Sequence, residues 1–432
     1  MTTLVVHGPA RIEGAAVVPG DRSISHRALM LGAIGSGETR LANVGPGGDV
    51  VSMIRCLRDY GVQVDRSNGG VTVTGRGVGS WSPPAQALDC GNSGATMRML
   101  AGLAAHHPFE SVLDGDASLR RRPMERVAGP LRVLGARVET TDGHAPIRVE
   151  GGALSGTDVV IDVASAQVKS SVLLAALGAG GRTSVTEPVR SRDHTERMLV
   201  ALGVPITETD VAGRGHRVEI EAFGFGGFSV DVPGDVSSAA FLVAAALLTG
   251  RVEIGGVNLN PTRIGFLHAA RAMQGDLTWE VREESTGEPV GVIDARCSRL
   301  RATTIEAAGP DIHDELPLLA AIATQADGET SVRGAGELRV KESDRIASLV
   351  DGLRRLGADI EALPDGFVVR GPTPLRGASV DGAGDHRIAM ALAVAGLWAS
   401  GNTRIEGYDA ADVSWPGFAA VLAGLGAEVE VS

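Results

Sequence analysis

The chain reads as an α/β protein of two domains, each built from three copies of one helix-strand unit, and two periodic signals carry that reading. In the first, a helical run ends in an apolar residue and a glycine and passes into a short extended segment. Its glycines are Gly61, Gly135, Gly203, Gly275, Gly357 and Gly426, spaced by 74, 68, 72, 82 and 69 residues in a chain of 432. The second is a run of small apolar residues in every repeat, at 28–34, 97–105, 172–177, 239–248, 316–323 and 388–398. Five of these lead into a Gly-x-Thr or Gly-x-Val strand start, as in Gly37-Glu38-Thr39 and Gly401-Asn402-Thr403.

Each unit therefore reads helix, turn, strand, amphipathic helix, strand. The apolar runs are too short to span a bilayer and too apolar to face water, so they are buried core helices. Six of them make two cores of three. With 44% hydrophobic residues but only 3% aromatics, the cores are packed from Ala, Val, Leu and Gly.

The rest of the composition sets limits. Cys56, Cys90 and Cys297 are far apart and show neither zinc-site nor disulfide-framework spacing, which fits a reducing cytosol. The first twenty residues mix polar and apolar like a strand, with no signal-peptide pattern, so the expected location is cytoplasmic, with no membrane contact. A net charge of −12 disfavours a nucleic-acid partner. No phosphate loop, dinucleotide fingerprint or metal-ligand cluster is present, so no cofactor and no metal are expected.

The chemistry should lie where the core helices begin. Those ends carry Asp21-Arg22-Ser23-Ile24-Ser25-His26-Arg27, Gly91-Asn92-Ser93-Gly94-Ala95-Thr96-Met97-Arg98, and Ser165-Ala166-Gln167-Val168-Lys169 in the first half. The second half supplies Gly234-Asp235-Val236-Ser237-Ser238, Asp311-Ile312-His313-Asp314-Glu315 and Asp385-His386-Arg387. A helix N-terminus offers unpaired N–H groups and partial positive charge, so it favours anions. Ser237, Ser238 and Asp235 read as ordinary N-caps. Arg27, Arg98 and Arg387 do not, because the macrodipole repels cations there; their recurrence points to a polyanionic ligand. Leu119-Arg120-Arg121-Arg122-Pro123-Met124 reads by itself as a solvated charge run before a helix with Pro123 at its first position. Asp193 is a candidate helix cap, and Lys341 and Arg345, four apart, are expected on one helical face. Asp314 is open between N-cap and functional carboxylate.

Segments 19–27, 91–98, 119–124, 165–170, 339–345 and 385–390, in this order and spanning the chain, resemble the signature segments of the 5-enolpyruvylshikimate-3-phosphate synthase family. The resemblance implies the two-domain enolpyruvyl-transferase fold, an inside-out α/β barrel with three units per domain and the active site in the interdomain cleft. It also implies that the chain crosses between domains twice, giving a discontinuous domain of 1–18 plus 234–432 and an inserted domain of 19–233. The implied reaction moves the enolpyruvyl (1-carboxyvinyl) group of phosphoenolpyruvate to the 5-hydroxyl of shikimate 3-phosphate and releases phosphate, in aromatic amino acid biosynthesis. Small-molecule substrates are thus the expected partners, and a monomer the expected state. By resemblance, Arg22, Ser23, Arg27, Ser165, Gln167, Ser191, Arg192, Asp314 and Lys341 hold shikimate 3-phosphate. Arg22, Gly94, Arg122, Gln167, Arg345 and Arg387 hold phosphoenolpyruvate. Asp314 corresponds to the proton acceptor and Glu342 to a second catalytic carboxylate, with Asp49 in support.

One departure matters. The family has Lys where this chain has Arg22, and a guanidinium preserves anion binding but cannot shuttle a proton near neutral pH. Either Glu342 carries the proton transfer, or the chain is a paralogue acting on a different cyclic acceptor, or it is a non-catalytic metabolite-binding homologue. The first is favoured because Asp314, Lys341, Glu342, Arg345 and Arg387 are all kept. The related UDP-N-acetylglucosamine transferase is disfavoured because its loop Cys is absent from 117–123, and an RNA cyclase by the acidic charge.

Overall fold

The structure, a computed structural model, describes residues 2–67, 69–213, 215–307, 309 and 311–432. Its contacts divide the chain into two units, one of Met1–Pro19, Pro233–Glu283 and Pro289–Ser432, the other of Gly20–Val232 with Glu284–Glu288. Met1, the first residue of the expected segment 1–18, lies outside the described residues.

In the Gly20–Val232 unit the core helices are Arg22–Ile34, Gly94–Ala104 and Ala166–Ala176. From Ile24 to Ile34 every residue of the first is buried, as a run with no polar face requires. Three separate four-stranded sheets accompany the helices. The second sheet shows the plan: Leu88–Asp89 runs parallel to Glu110–Asp114, and the hairpin strands Arg137–Thr141 and His144–Glu150 complete it antiparallel. The third repeats this plan with Asp158–Val160, Arg182–Glu187, Gly215–Glu221 and Ile206–Val211.

The other unit has core helices Val236–Thr249, Leu316–Ala323 and His386–Gly396, again with three four-stranded sheets. The strand starts carry buried threonines: Thr330 and Thr403 here, like Thr39 and Thr183 in the other unit, are fully buried, and Thr403 lies against Gly396 of its core helix as Thr39 does against Gly32. The last sheet contains both chain ends: Thr3–Gly8 pairs with Gly401–Glu406 on one side and Glu428–Val431 on the other. The sixth repeat is therefore one hairpin cut open at the termini.

Where the chain passes from one unit to the other, the short leading strand stays behind. Glu13–Ala16 precedes the Arg22–Ile34 helix but pairs with Arg251–Asn258. Ser229–Asp231 precedes the Val236–Thr249 helix but pairs with Ser36–Ala42. In the four repeats without a crossing, leading strand, core helix and next strand are consecutive.

The repeating glycine has a structural cause. After the Gly48–Asp59 helix, the Gly61 N–H donates to Arg58 O (2.8 Å) and the Val62 N–H to Leu57 O (3.0 Å), closing the helix with a left-handed residue at Gly61, φ +80°. Gly135, Gly203, Gly357 and Gly426 stand at the same place with positive φ. The fourth repeat corrects the sequence reading: the left-handed residue is Gln274 (φ +65°), and Gly275 is the residue after it, donating to Ala270 O (2.9 Å). A side chain at Gly275 would put its Cβ 2.8 Å from that carbonyl, which is why glycine stands there.

Pro123 is likewise not at the first helical position. Leu119–Arg121 forms a short 3-10 turn, and the helix is Glu125–Val133 with Met124 as cap, fixed by the Met124 N–H donating to Gly143 O (2.8 Å). Asp193 does occupy the cap position of the His194–Ala201 helix, but its carboxylate makes no capping bond. It pairs with Arg197 (2.9 Å) and Arg190 (3.2 Å) instead.

Candidate active site

In the Gly20–Val232 unit the three core helices begin with capped ends joined by polar side chains. Asp21 accepts from the Ile24 N–H (3.0 Å), Ser93 from Thr96 (3.1 Å) and Ser165 from Val168 (3.5 Å). Arg22 and Ser23 are the first two residues of their helix, and Gly94 and Ala166 the first of theirs. Arg22 Nη1 lies 3.5 Å from Asp49 Oδ2, so Asp49 pairs with the guanidinium at the position where the resemblance implies a lysine.

Arg27 and Arg98 are the sixth and fifth residues of their helices, further in than the sequence reading placed them. Helical side chains tilt towards the N-terminus, and this brings them back. Arg27 donates to Ser23 O (2.9 Å), Ser170 Oγ (2.8 Å) and Thr195 Oγ1 (2.7 Å), tying the first helix to the third repeat. Burial, opposed by Glu196 and Asp21, pulls its pKa down to about 10. Arg98 donates to Gln167 Oε1 (2.7 Å), joining the second helix to the third.

Arg122 is buried, unlike its neighbours in the arginine run, and donates to Asn92 Oδ1. A Cβ on Gly94 would stand 3.3 Å from a guanidinium nitrogen of both Arg122 and Arg98, so the missing side chain leaves room for two cations beside a helix start. Ser191 is fully buried in the loop before the His194–Ala201 helix, with Arg192 next to it. His26 was missed by the sequence reading. Its Nδ1 is 2.7 Å from Arg22 O, its Nε2 3.4 Å from Ser93 Oγ and 3.3 Å from Thr96 Oγ1, and burial lowers its pKa.

In the other unit the cations Lys341, Arg345 and Arg387 meet the carboxylates Asp314, Glu315, Glu342 and Asp385. Asp314 lies in the His313–Glu315 turn and is not a helix cap: that place belongs to Glu315. Its carboxylate stands 3.3 Å from Arg345 Nη1, 3.6 Å from Lys341 Nζ and 3.9 Å from Arg387 Nη2. Lys341 is not on a helical face with Arg345, because it is extended after the Gly336–Val340 turn while Arg345 opens the next helix behind its cap Asp344. The two meet at Asp314 nonetheless.

Arg345 is almost fully buried. Burial works against its charge, but Asp385, Glu342 and Asp314 prevail and raise its pKa. Its Nη2 donates to Glu342 Oε2 (2.6 Å) and its Nε to Asp385 Oδ2 (2.8 Å). Asp385 also caps its helix by accepting from the Arg387 N–H (2.9 Å). Arg387 Nη1 donates to Glu315 Oε1 (2.8 Å), which also accepts from Ser237 Oγ (2.5 Å). Ser237 thus does more than lie near a cap, and Arg263, which no sequence signal marked, donates to it (2.7 Å). Among the described residues no group of three or more His, Cys, Asp or Glu could hold a metal ion, and no helix is long and apolar enough to cross a membrane.

Both units thus present fixed cations around helix starts, suited to a ligand with several anionic groups. The family model described as EPSP synthase (3-phosphoshikimate 1-carboxyvinyltransferase) matches residues 6–422. The 3-phosphoshikimate 1-carboxyvinyltransferase of Desulforudis audaxviator is 50% identical over 422 residues, 96% of this chain and 97% of that protein. That of Brevibacillus brevis is 45% identical over 423 residues, 96% and 98%. The solved EPSP synthase of Acinetobacter baumannii superposes with a TM-score of 0.87 at 39% identity, covering 100% of this chain and 99% of that one. The repeated architecture, the polar helix ends and these matches along nearly the whole length agree: the chain belongs to the EPSP synthase family.

Proposed function

We propose that the chain transfers the enolpyruvyl group of phosphoenolpyruvate to the 5-hydroxyl of shikimate 3-phosphate, giving 5-enolpyruvylshikimate 3-phosphate and phosphate. The observation that carries this reading is the placing of Asp314: a carboxylate flanked by Lys341, Arg345 and Arg387 rather than spent on a helix cap. A carboxylate that is not spent on a cap is available to accept a proton from a hydroxyl.

In this reading Asp314 takes the 5-hydroxyl proton as that oxygen bonds to C2 of phosphoenolpyruvate, while C3 gains a proton to become a methyl group. Loss of a methyl proton then expels phosphate and restores the double bond. Arg22, Ser23, Arg27, Ser165, Gln167, Ser191, Arg192 and Lys341 hold shikimate 3-phosphate. Arg22, Gly94, Arg122, Gln167, Arg345 and Arg387 hold phosphoenolpyruvate. Arg22, paired with Asp49, binds anions and moves no proton, so Glu342 beside Arg345 carries the proton exchange at C3.

The test is phosphate release by purified protein given phosphoenolpyruvate with and without shikimate 3-phosphate, the product checked by mass. Release that depends on shikimate 3-phosphate and yields the enolpyruvyl adduct supports the reading. Binding of both ligands without release would move the conclusion to a paralogue with another acceptor or to a metabolite-binding protein, the readings that Arg22 keeps open.

A further inference from the structure

Lys169 is the fourth residue of the Ala166–Ala176 helix and has no exposed side-chain surface. Its Nζ lies 2.7 Å from Glu187 Oε1 and 2.7 Å from Glu196 Oε1, themselves fully buried, and donates to Ser191 O at 3.4 Å. An ammonium has three protons, and here it has three acceptors. Glu187 ends the Arg182–Glu187 strand and Glu196 lies in the first turn of the His194–Ala201 helix. One buried charge therefore grips the connecting segment 188–193 at both ends and in its middle.

Glu187 Oε1 also accepts from the Ser191 N–H (2.9 Å), so the Ser191 main chain is held on both sides. Its hydroxyl, by contrast, is buried with no hydrogen-bond partner among the described residues. A buried orphan hydroxyl costs stability unless something else uses it. Stability does not explain the charged trio either, because apolar side chains of similar volume serve a core as well or better.

We propose that Lys169 is a positioning residue for shikimate 3-phosphate: it fixes the segment that presents Ser191 and Arg192 relative to the helix start that presents Ser165 and Gln167. This rests on the assignment of Ser191 and Arg192 to that substrate made above. Lys169 touches no substrate and acts through the loop.

Removing Lys169 alone would strand two buried carboxylates, so the main variant is Lys169→Met combined with Glu196→Gln, which leaves Glu187 with His216 and the Ser191 N–H. A milder variant, Glu196→Gln alone, covers the case in which the double variant does not fold. Steady-state phosphate release is measured with each substrate varied in turn, and Ser191→Ala is measured alongside. The expected result is a KM for shikimate 3-phosphate raised about tenfold or more in the double variant and less in the single, with kcat and the KM for phosphoenolpyruvate within about threefold of the parent. An unchanged KM for shikimate 3-phosphate in the folded variants, or equal rises for both substrates, overturns the positioning role while Ser191→Ala still raises that KM. If Ser191→Ala itself leaves the KM unchanged, the substrate assignment fails and the inference falls with it.

Discussion

Lys341 Nζ stands 3.6 Å from Asp314 Oδ1, although Asp314 precedes the core helix of its repeat, Lys341 follows the next strand, and Lys341 is in neither of the helices that flank it. The lysine and the buried Arg345 approach the same carboxylate oxygen, so Asp314 is oriented by two cations, one half-buried and one buried. A carboxylate in that position suits a proton acceptor better than an anion-repelling bystander.

Asp314→Asn keeps the shape of the side chain and removes its basicity. Turnover should fall by about 10²–10⁴-fold, the usual contribution of a positioned general base, with a much smaller change in either KM. Saturating phosphate-release assays check this, and a kcat within about tenfold of the parent would remove Asp314 from the chemistry.

Arg22→Lys places beside Asp49 the residue that the resemblance implies there. If Glu342 carries the proton exchange, the variant should stay within about tenfold of the parent in kcat, because only an anion-binding cation has been exchanged for another. A rise of several orders of magnitude on the same substrates would instead place the missing proton carrier at position 22.

Glu315→Gln keeps an acceptor for Ser237 but leaves the buried Arg387 guanidinium short of a counter-charge. Denaturant unfolding should show a loss on the order of 3 kcal/mol, as for a broken buried pair. The KM for phosphoenolpyruvate should rise more than that for shikimate 3-phosphate, since Arg387 is assigned to the former. Equal stability and unchanged KM would mean that Glu315 is replaceable packing.

Much of this was legible because it repeats. Core helices announce themselves by apolar runs, and five of six turn glycines mark their left-handed residue; the sixth misled because Gln274 takes the left-handed conformation and Gly275 is needed for clearance. The leading strands were not legible: Leu88–Asp89 and Ser229–Asp231 are too short to show a period of two, and the exchange of such strands at the crossings is a matter of topology alone. Site residues near helix starts were visible as capped, cationic segments. Arg263 was not, and Lys169 stood in one such segment without a role of its own, since a cation within a turn of an apolar helix, or in a loop, looks the same in sequence whether it faces water or is clasped by buried acceptors. Lys341 was placed on the wrong local structure yet in the right company, because its partner Asp314 stands at the start of the core helix and not on the helix that Arg345 opens.

His216 gives the buried network behind the Ser191 loop a pH dependence whose sign can be stated. Its Nε2 is 3.1 Å from Glu208 Oε2 and its Nδ1 3.5 Å from Glu187 Oε1; bonds to Glu187 and then Glu208 outweigh burial and raise its pKa to about 9. Burial opposes the charge on Glu187, but His216, Lys169 and the Ser191 N–H hold its pKa down at about 2, so that carboxylate does not titrate in the same range. A histidine raised from 6.5 contributes stability that is fully present below pH 6.5, declines as pH rises towards 9, and is gone above it. The decline is at most about 1.4 kcal/mol per pH unit for one group. Unfolding free energies of the parent and of His216→Gln, measured by denaturant from pH 6 to 10, should therefore diverge at the low end and converge at the high end. Parallel profiles would mean that His216 is neutral throughout, and that Lys169 alone balances the buried glutamates.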